Sequence, residues 1–260
     1  MRFTPCRILA ALALMLLLPS SWACGPYRLA FYEYTALYYR GPDGLYRGID
    51  KDVVDELARR SGCRFETVLE SRARTWQQLA AGQLDLSVSV LPTPERERDL
   101  ELVPYLRSQQ WVVTRRELAG SLATPEAFLA DTARRLLVVR AAAYVPPLQS
   151  LVDKLRAQGR VVEAPDQPTA LRAFKAGRAD AVILGGNSLA LARARDAAFA
   201  AASEALDYAP GNVSVATLAM SRQRVLAADR ALLRRTLEEM VRDGSVEAYR
   251  LRHLSDTAGP

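Results

Sequence analysis

Apolar and polar residues alternate from Leu84 to Val90. Leu84, Leu86, Val88 and Val90 fall on one side, and Asp85, Ser87 and Ser89 on the other, which is the period of two that a strand requires. The alternation stops at Pro92, and a helix start follows. Thr93 suits the N-cap, Pro94 the first helical position, and Glu95 the positive end of the helix dipole. Arg96 puts a cation in that first turn, against the dipole, at a cost of a few tenths of a kcal/mol. Thr124-Pro125-Glu126 opens a helix the same way with Ala127 at the matching place, so the cap itself does not call for an arginine. Two readings of Arg96 stand level: a surface arginine in an arginine-rich chain, or a cation aimed into a cleft to hold an anion.

Upstream, Tyr27 to Tyr32 reads as a strand and Glu33 to Arg47 as a loop rich in aromatic and turn residues. Ile49 to Arg60 reads as a helix with Ile49, Val53, Leu57 and Ala58 on its apolar face and Gly62 past its end. Asp50, Asp52 and Asp55 are read as its solvated face. Arg64 to Leu69 is the next strand, and a helix containing Trp76 and Leu79 stops at Gly82. The order β-α-β-α-β predicts an open parallel sheet, whose ligands bind beyond the carboxyl ends of the strands. Tyr32, Tyr34, Ser89 and Arg96 fall at those ends.

Trp111 to Thr114 is a further β-prone run, after which the pattern restarts. Thr124 to Ala133, Pro147 to Gly159 and Pro168 to Ala176 read as helices. Arg135 to Arg140, Val161-Val162 and Ala181 to Leu184 read as strands. The helix-Gly82-x-x-Asp85-strand step is repeated in kind at Gly177-x-x-Asp180, as two lobes on one plan would produce. Ala190 to Ala205 reads as one alanine-rich helix. Tyr208 to Met220 alternates and is compatible with a return to the first lobe. Helices over Ala228 to Arg242 and Val246 to Leu254 close the chain.

Composition narrows the class. In the 260-residue chain Arg2 and Arg7 flank the start of an apolar run from Ile8 to Leu18, and Ser21-Trp22-Ala23 offers small residues for a signal peptidase. Residues 1–23 therefore read as a signal peptide, the apolar run being too short to span a bilayer, and a periplasmic location is expected. The net charge of +6 is spread along the chain without a basic run, so no nucleic-acid partner is expected. Cys6 would leave with the signal, so Cys24 and Cys63 are the one remaining pair. Each precedes a strand, and parallel neighbours would bring both cysteines to one sheet edge as a disulfide. The competing reading makes Cys24 a lipidated first residue, although Trp22 fits a lipobox poorly.

With these residues in view, the chain resembles the bacterial extracellular solute-binding proteins of family 3, the periplasmic binding proteins of polar amino-acid ABC transporters. Gly48-Ile-Asp-Lys-Asp52, Gly82-x-x-Asp85, Thr93-Pro94-Glu95-Arg96, Pro104-Tyr105, Gly177-x-x-Asp180 and Asp243-Gly244 carry the resemblance. It implies an α/β periplasmic-binding-protein type II fold with a ligand cleft between two lobes. Lobe 1 is expected at 24–113 and 214–260, and lobe 2 at 114–213. It implies a monomer that binds a small carboxylate-bearing ligand, an amino acid or related organic acid, for an inner-membrane ABC permease, with no cofactor or metal. Ligand-binding roles are implied for Arg96, as the carboxylate anchor, and for Ser89, Thr93, and Tyr32 or Tyr34. Three departures stand out. Leu91 replaces a residue that often supplies a hydroxyl. Ala141-Ala142-Ala143 replaces a polar glycine-containing loop. Gly185 replaces an aspartate that commonly pairs with the ligand's ammonium. Without that counter-ion a buried amine would lack several kcal/mol of compensation, so an organic anion or unusual amino acid is expected.

Most enzyme classes find no support. The single histidine, His253, is read as a surface residue, and no Ser-His-Asp triad, zinc set or phosphate loop is present. The alternative readings are a periplasmic cyclohexadienyl-dehydratase-like enzyme on the same fold, with Glu33 as the acid to watch, and an orphan sensor or binding protein serving a receptor.

Overall fold

A computed structural model describes residues 24–255. The expected signal peptide, 1–23, lies outside the described residues. The first sheet contains β1 (Tyr27–Phe31), β4 (Phe65–Leu69), β5 (Leu86–Val90), β6 (Leu100–Ser108) and β12 (Ser214–Ser221), in the order β4-β1-β5-β12-β6. β1 pairs in parallel with β4 and β5, and α1 (Ile49–Ser61) and α2 (Arg72–Ala80) make the crossovers that the alternating pattern predicted. The loop after β1 carries a small hairpin of β2 (Tyr39–Arg40) and β3 (Tyr46–Arg47). α3 (Pro94–Asp99) follows β5, its N-cap Thr93 accepting from the Arg96 amide.

The second sheet contains β7 (Gln110–Arg115), β8 (Leu136–Val139), β9 (Val161–Ala164), β10 (Ala181–Gly185) and β11 (Ser203–Leu206), in the order β11-β7-β10-β8-β9. Its helices are α4 (Pro125–Ala130), α5 (Pro146–Ala157), α6 (Gln167–Lys175), α7 (Gly186–Arg195) and α8 (Ala197–Ala202). β12 then returns to the first sheet, antiparallel to β5 and β6, before α9 (Ala227–Arg242) and α10 (Ser245–Ser255). Each sheet has an apolar layer on both faces. Leu29, Val53, Leu57, Leu86 and Leu237 pack on one face of the first, and Ala30, Leu79, Leu84 and Val90 on the other. Trp111 to Thr114 pairs with β10, and Val112 to Thr114 also with β11, so the chain crosses between sheets at Gln109, earlier than the lobe boundary at 113 read from the sequence.

Three local features differ from the expectations. β6 was not foreseen as a strand, because Pro104 interrupts it. It is an edge strand, where proline is tolerated, and its register against β12 shifts beside that proline. The alanine-rich run is not one helix. Asp196 ends α7 and caps α8 by accepting from the Phe199 amide, and Ser203 to Leu206 turn into a strand. His253 is buried, with Nε2 2.8 Å from Asp52 and Nδ1 3.3 Å from the Tyr39 hydroxyl, so it ties α10 to α1 and is not a surface residue.

Gly48 sets how closely α1 approaches the loop before it. Its φ is +136°, and a Cβ there would lie 2.1 Å from the Leu37 carbonyl oxygen. The Asp50 amide donates to that same carbonyl at 2.9 Å. The first turn of α1 is thereby held against the loop that follows β1.

Cys24 and Cys63 form a disulfide across the adjoining starts of β1 and β4. It closes a loop with a sequence separation of 39. Reduction, or Cys63→Ser, is expected to lower the unfolding free energy by about 4 kcal/mol. Urea denaturation of the oxidised and reduced protein measures this, and coincident midpoints would show that the bridge adds no stability.

Candidate functional site

The carboxyl ends of β1, β4 and β5 in the first sheet face those of β8 and β10 in the second. Between them lies a cavity of about 70 Å³. The first sheet and its loops contribute Tyr34, Leu37, Arg72, Ser89, Leu91 and Ser108, and the second contributes Gln110, Ala142, Tyr144, Gln167, Gly185, Asn187 and Ser188. The Thr35 amide donates to Gln167 Oε1 at 3.3 Å, a direct link between the two sides. Arg72 is the one formally charged residue among those lining the cavity, and no aspartate or glutamate is among them.

Beneath the cavity wall lies a hydrogen-bonded node. The Ser89 hydroxyl donates to Asp50 Oδ2 at 2.6 Å, and the Tyr105 hydroxyl donates to Asp50 Oδ1 at 2.6 Å. The Ser89 amide donates to the Tyr105 oxygen at 2.9 Å, and the Ser89 carbonyl accepts from the Tyr32 hydroxyl at 2.6 Å. This holds Ser89 at φ +52°, a left-handed backbone that costs a non-glycine residue roughly 1–2 kcal/mol. Asp50 is 2 % exposed, so it does not belong to the solvated face of α1 on which the sequence reading placed it. It shares the face of Val53, Val54 and Leu57, at the helical spacings i+3, i+4 and i+7.

Arg72 is the main addition to the site. It occupies the first turn of α2, where a cation opposes the helix dipole. It is 6 % exposed, its Nε has no hydrogen-bond partner, and it makes no ion pair among the described residues. Its guanidinium lies 4.1 Å from the centre of the Tyr32 ring and 5.4 Å from that of Tyr34. Such stacking stabilises a desolvated cation by about 2 kcal/mol, whereas burying an unpaired charge costs several. Gln167 Nε2 and Ser188 Oγ, buried on the opposite side of the cavity, are also without partners.

The residues proposed from sequence separate into three layers. Tyr34 and Ser89 line the cavity, although every backbone and side-chain polar group of Ser89 is already engaged within the protein. Tyr32 lies under Arg72 with its hydroxyl bonded to the Ser89 and Val88 carbonyls. Thr93 and Arg96 border an open outer groove between α3 and the start of α5. Arg96 Nη1 donates to the Leu91 carbonyl at 2.7 Å, and its guanidinium stacks 3.9 Å over Trp76. Burial, and then the neighbouring Arg72 charge, push it down to about 10, which leaves it protonated at neutral pH. Glu33 accepts from Tyr46 at 3.4 Å and borders a side groove with Tyr32 and Glu70. Arg72 was missed although the dipole argument applied to Arg96 applies equally to it. It stands directly after the N-cap Ser71, at the carboxyl end of a strand, but in a run with Arg74 that hides it among surface arginines.

Burial pushes the Asp50 carboxyl up from 3.8 to about 6, while the bonds from Ser89 and Tyr105 and the Arg72 charge restrain the rise. Between these values the folded state holds a proton that the unfolded chain has released, so this contribution to stability falls as pH rises toward 6 and the full cost of the buried charge applies above it. Relative to Asp50→Asn, the native protein is expected to lose on the order of 3 kcal/mol of stability between pH 4 and 7. Denaturant titrations at several pH values measure the difference, and parallel pH curves for the two proteins would count against a buried, titrating Asp50.

The family profile of the bacterial extracellular solute-binding proteins, family 3, matches residues 30–255. No curated protein matches the chain. Among solved structures, an amino acid ABC transporter substrate-binding protein, AbpA from Streptococcus pneumoniae, bound to L-arginine, superposes with a TM-score of 0.75 at 14% identity, covering 90% of this chain and 95% of that one. The solute receptor for L-cysteine of Neisseria gonorrhoeae superposes at 0.72 with 18% identity, covering 90% and 91%. An ancestral amino-acid-binding protein, a precursor of cyclohexadienyl dehydratase, superposes at 0.69 with 19% identity, covering 88% and 95%. With two sheets of matching topology facing one cavity, the chain belongs to the bacterial extracellular solute-binding proteins, family 3.

Proposed function

We propose that the protein is a periplasmic solute-binding protein that captures a small carboxylate-bearing ligand between its two lobes and presents it to an inner-membrane ABC importer. The observation that carries this reading is Arg72, a buried guanidinium with an unpartnered Nε at the wall of an otherwise uncharged cavity. A carboxylate fits this planar donor in bidentate geometry and supplies the direct ion pair that Asp50, acting from behind the wall, does not form with it. The family and its amino-acid-binding structural relatives support the transport context, and the signal-like segment at residues 1–23 supports export.

In this reading Arg72 takes the anchoring role that the resemblance implied for Arg96. Arg96 is turned toward Leu91 and Trp76, so it strengthens the positive field at the outer mouth and shapes the Leu91 to Thr93 turn. Tyr34 contributes an aromatic wall, Tyr32 supports the anchor from below, Ser89 fixes the cavity floor, and Thr93 caps α3.

A thermal-shift screen of amino acids, organic acids and opines is expected to yield a carboxylate that raises the melting temperature, because a ligand that binds only the folded state stabilises it. Arg72→Gln should weaken that ligand by about 100-fold, roughly 3 kcal/mol for lost charge-assisted hydrogen bonds. Arg96→Gln should weaken it by no more than about tenfold, as expected of a screened neighbouring charge. Calorimetric titration of both variants checks the order. The absence of any stabilising carboxylate would overturn the reading, and the reverse order would return the anchor to Arg96.

A further inference from the structure

The second-lobe side of the cavity has an unusual charge character. α7 begins at the carboxyl end of β10 with Gly185 as N-cap, no side chain caps it, and its first turn contains no acidic residue. Gly185, Asn187 and Ser188 all line the cavity, so the positive end of this helix opens into it. Ser188 is 1 % exposed and its Oγ has no partner, and Gln167, equally buried, lines the same cavity with an Nε2 that makes no hydrogen bond of good geometry and lies within reach of the Tyr34 hydroxyl. Buried hydroxyl and amide groups without partners carry a desolvation cost that a bound acceptor removes.

No acid faces the cavity to pair with an ammonium: the lining holds no carboxylate. Asp50, behind the wall, has both oxygens occupied by the Ser89 and Tyr105 hydroxyls. Gly185 adopts φ −70° and ψ 150°, ordinary for any residue, so backbone geometry does not demand glycine there. A Cβ at Gly185 would stand in contact with the Tyr34 hydroxyl oxygen, 3.4 Å away.

We infer that the ligand is a short dicarboxylate without an amino group, one carboxylate on Arg72 and the other at the first turn of α7 with Ser188 and Gln167. The inference rests on the proposed solute-binding reading and deepens it by naming the ligand class. Two electropositive poles, a guanidinium from one lobe and a helix N-terminus from the other, bind the two ends of one anion. Closure of the lobes then brings both poles onto it. A zwitterion of the same length would place its ammonium among donors, with no acceptor of opposite charge.

Calorimetric titration of the mature, disulfide-bonded protein with matched acids tests this. Succinate, aspartate and butyrate share a four-carbon chain, and glutarate, glutamate and valerate a five-carbon one. One of the two diacids is expected to bind best. The amino diacid of that length should bind at least about 100-fold more weakly, as an unpaired buried ammonium requires. The monoacid should be weaker by about tenfold or more, having lost one pole. Ser188→Ala should reduce diacid affinity by about three- to tenfold and leave monoacid affinity unchanged, whereas Arg72→Gln should weaken both. Aspartate or glutamate binding as tightly as the diacid would overturn the inference and leave the solute-binding reading intact. Monoacids equal to diacids would remove the α7 pole. No binding by any of the six would also overturn the inference, while the solute-binding reading is judged by the broader carboxylate screen.

Discussion

The Asp50 carboxylate, buried and bonded by Ser89 and Tyr105, is the interaction on which the site's geometry depends. It joins the first turn of α1, the end of β5 and the middle of β6 at one point. Ser89 would not hold a left-handed backbone unaided, and its amide, carbonyl and hydroxyl are each committed to keeping it there. That conformation turns the chain out of β5 into Leu91, whose carbonyl then receives Arg96. The node in turn requires α1 to start very close to the preceding loop, and Gly48 is the residue that permits this approach. A glycine without a Cβ, a strained serine and a buried acid are therefore parts of one constraint.

Charge arrangement then separates stability from binding. Arg72 and Arg96 are close enough for each to act on the other, yet neither forms an ion pair among the described residues. Both lie on aromatic faces, Tyr32 and Trp76. Acids are available nearby but are directed elsewhere: Glu70 meets Arg74 at 3.5 Å and accepts from Gln78 at 3.0 Å, and Glu33 accepts from Tyr46. A fold selected only for stability gains more by pairing a buried guanidinium than by stacking it, since removing one partner of a buried pair is what costs most. Leaving the cation on a ring keeps its donor edge open.

Much of the fold was legible because its signals are local. A period-two run marks β5, although Leu84 and Val90 turn to the opposite face from Leu86 and Val88; Gly62, Gly82 and Gly177 mark helix ends, and two cysteines before adjacent strands identify the bridge. β6 was hidden by Pro104, whose tolerance depends on an edge position that only the assembled sheet reveals. The site was less legible. Asp50 reads as polar surface if acids are grouped by composition, yet counting three, four and seven residues onward reaches Val53, Val54 and Leu57, all buried. His253 follows the same rule, with Val246 seven residues before it and Tyr249 four before it on the packed face of α10. A polar residue in phase with an apolar stripe was the available signal in both cases. Arg72 carries the same mark, with Thr75, Trp76 and Leu79 three, four and seven residues onward on the packed face of α2, while the rings that receive its guanidinium, Tyr32 and Tyr34, come from another segment.

Fold and specificity are set by different residues in this chain. The sheets, crossovers and cavity position follow the family, at sequence identities of 14% to 19% in the structural relatives compared. The electrical character of the cavity depends on a few lining positions, as expected where function is carried by a site placed on a common scaffold. Gly185 and Tyr34 form one such pair: a Cβ at 185 would touch the phenol oxygen, so a change at either position is felt by the other. An aspartate at 185 would therefore stand beside the Tyr34 hydroxyl, a group able to donate to it. That hydroxyl belongs to one of the two aromatic rings beside Arg72, so the polar character at position 185 and the seating of the cation meet in a single side chain.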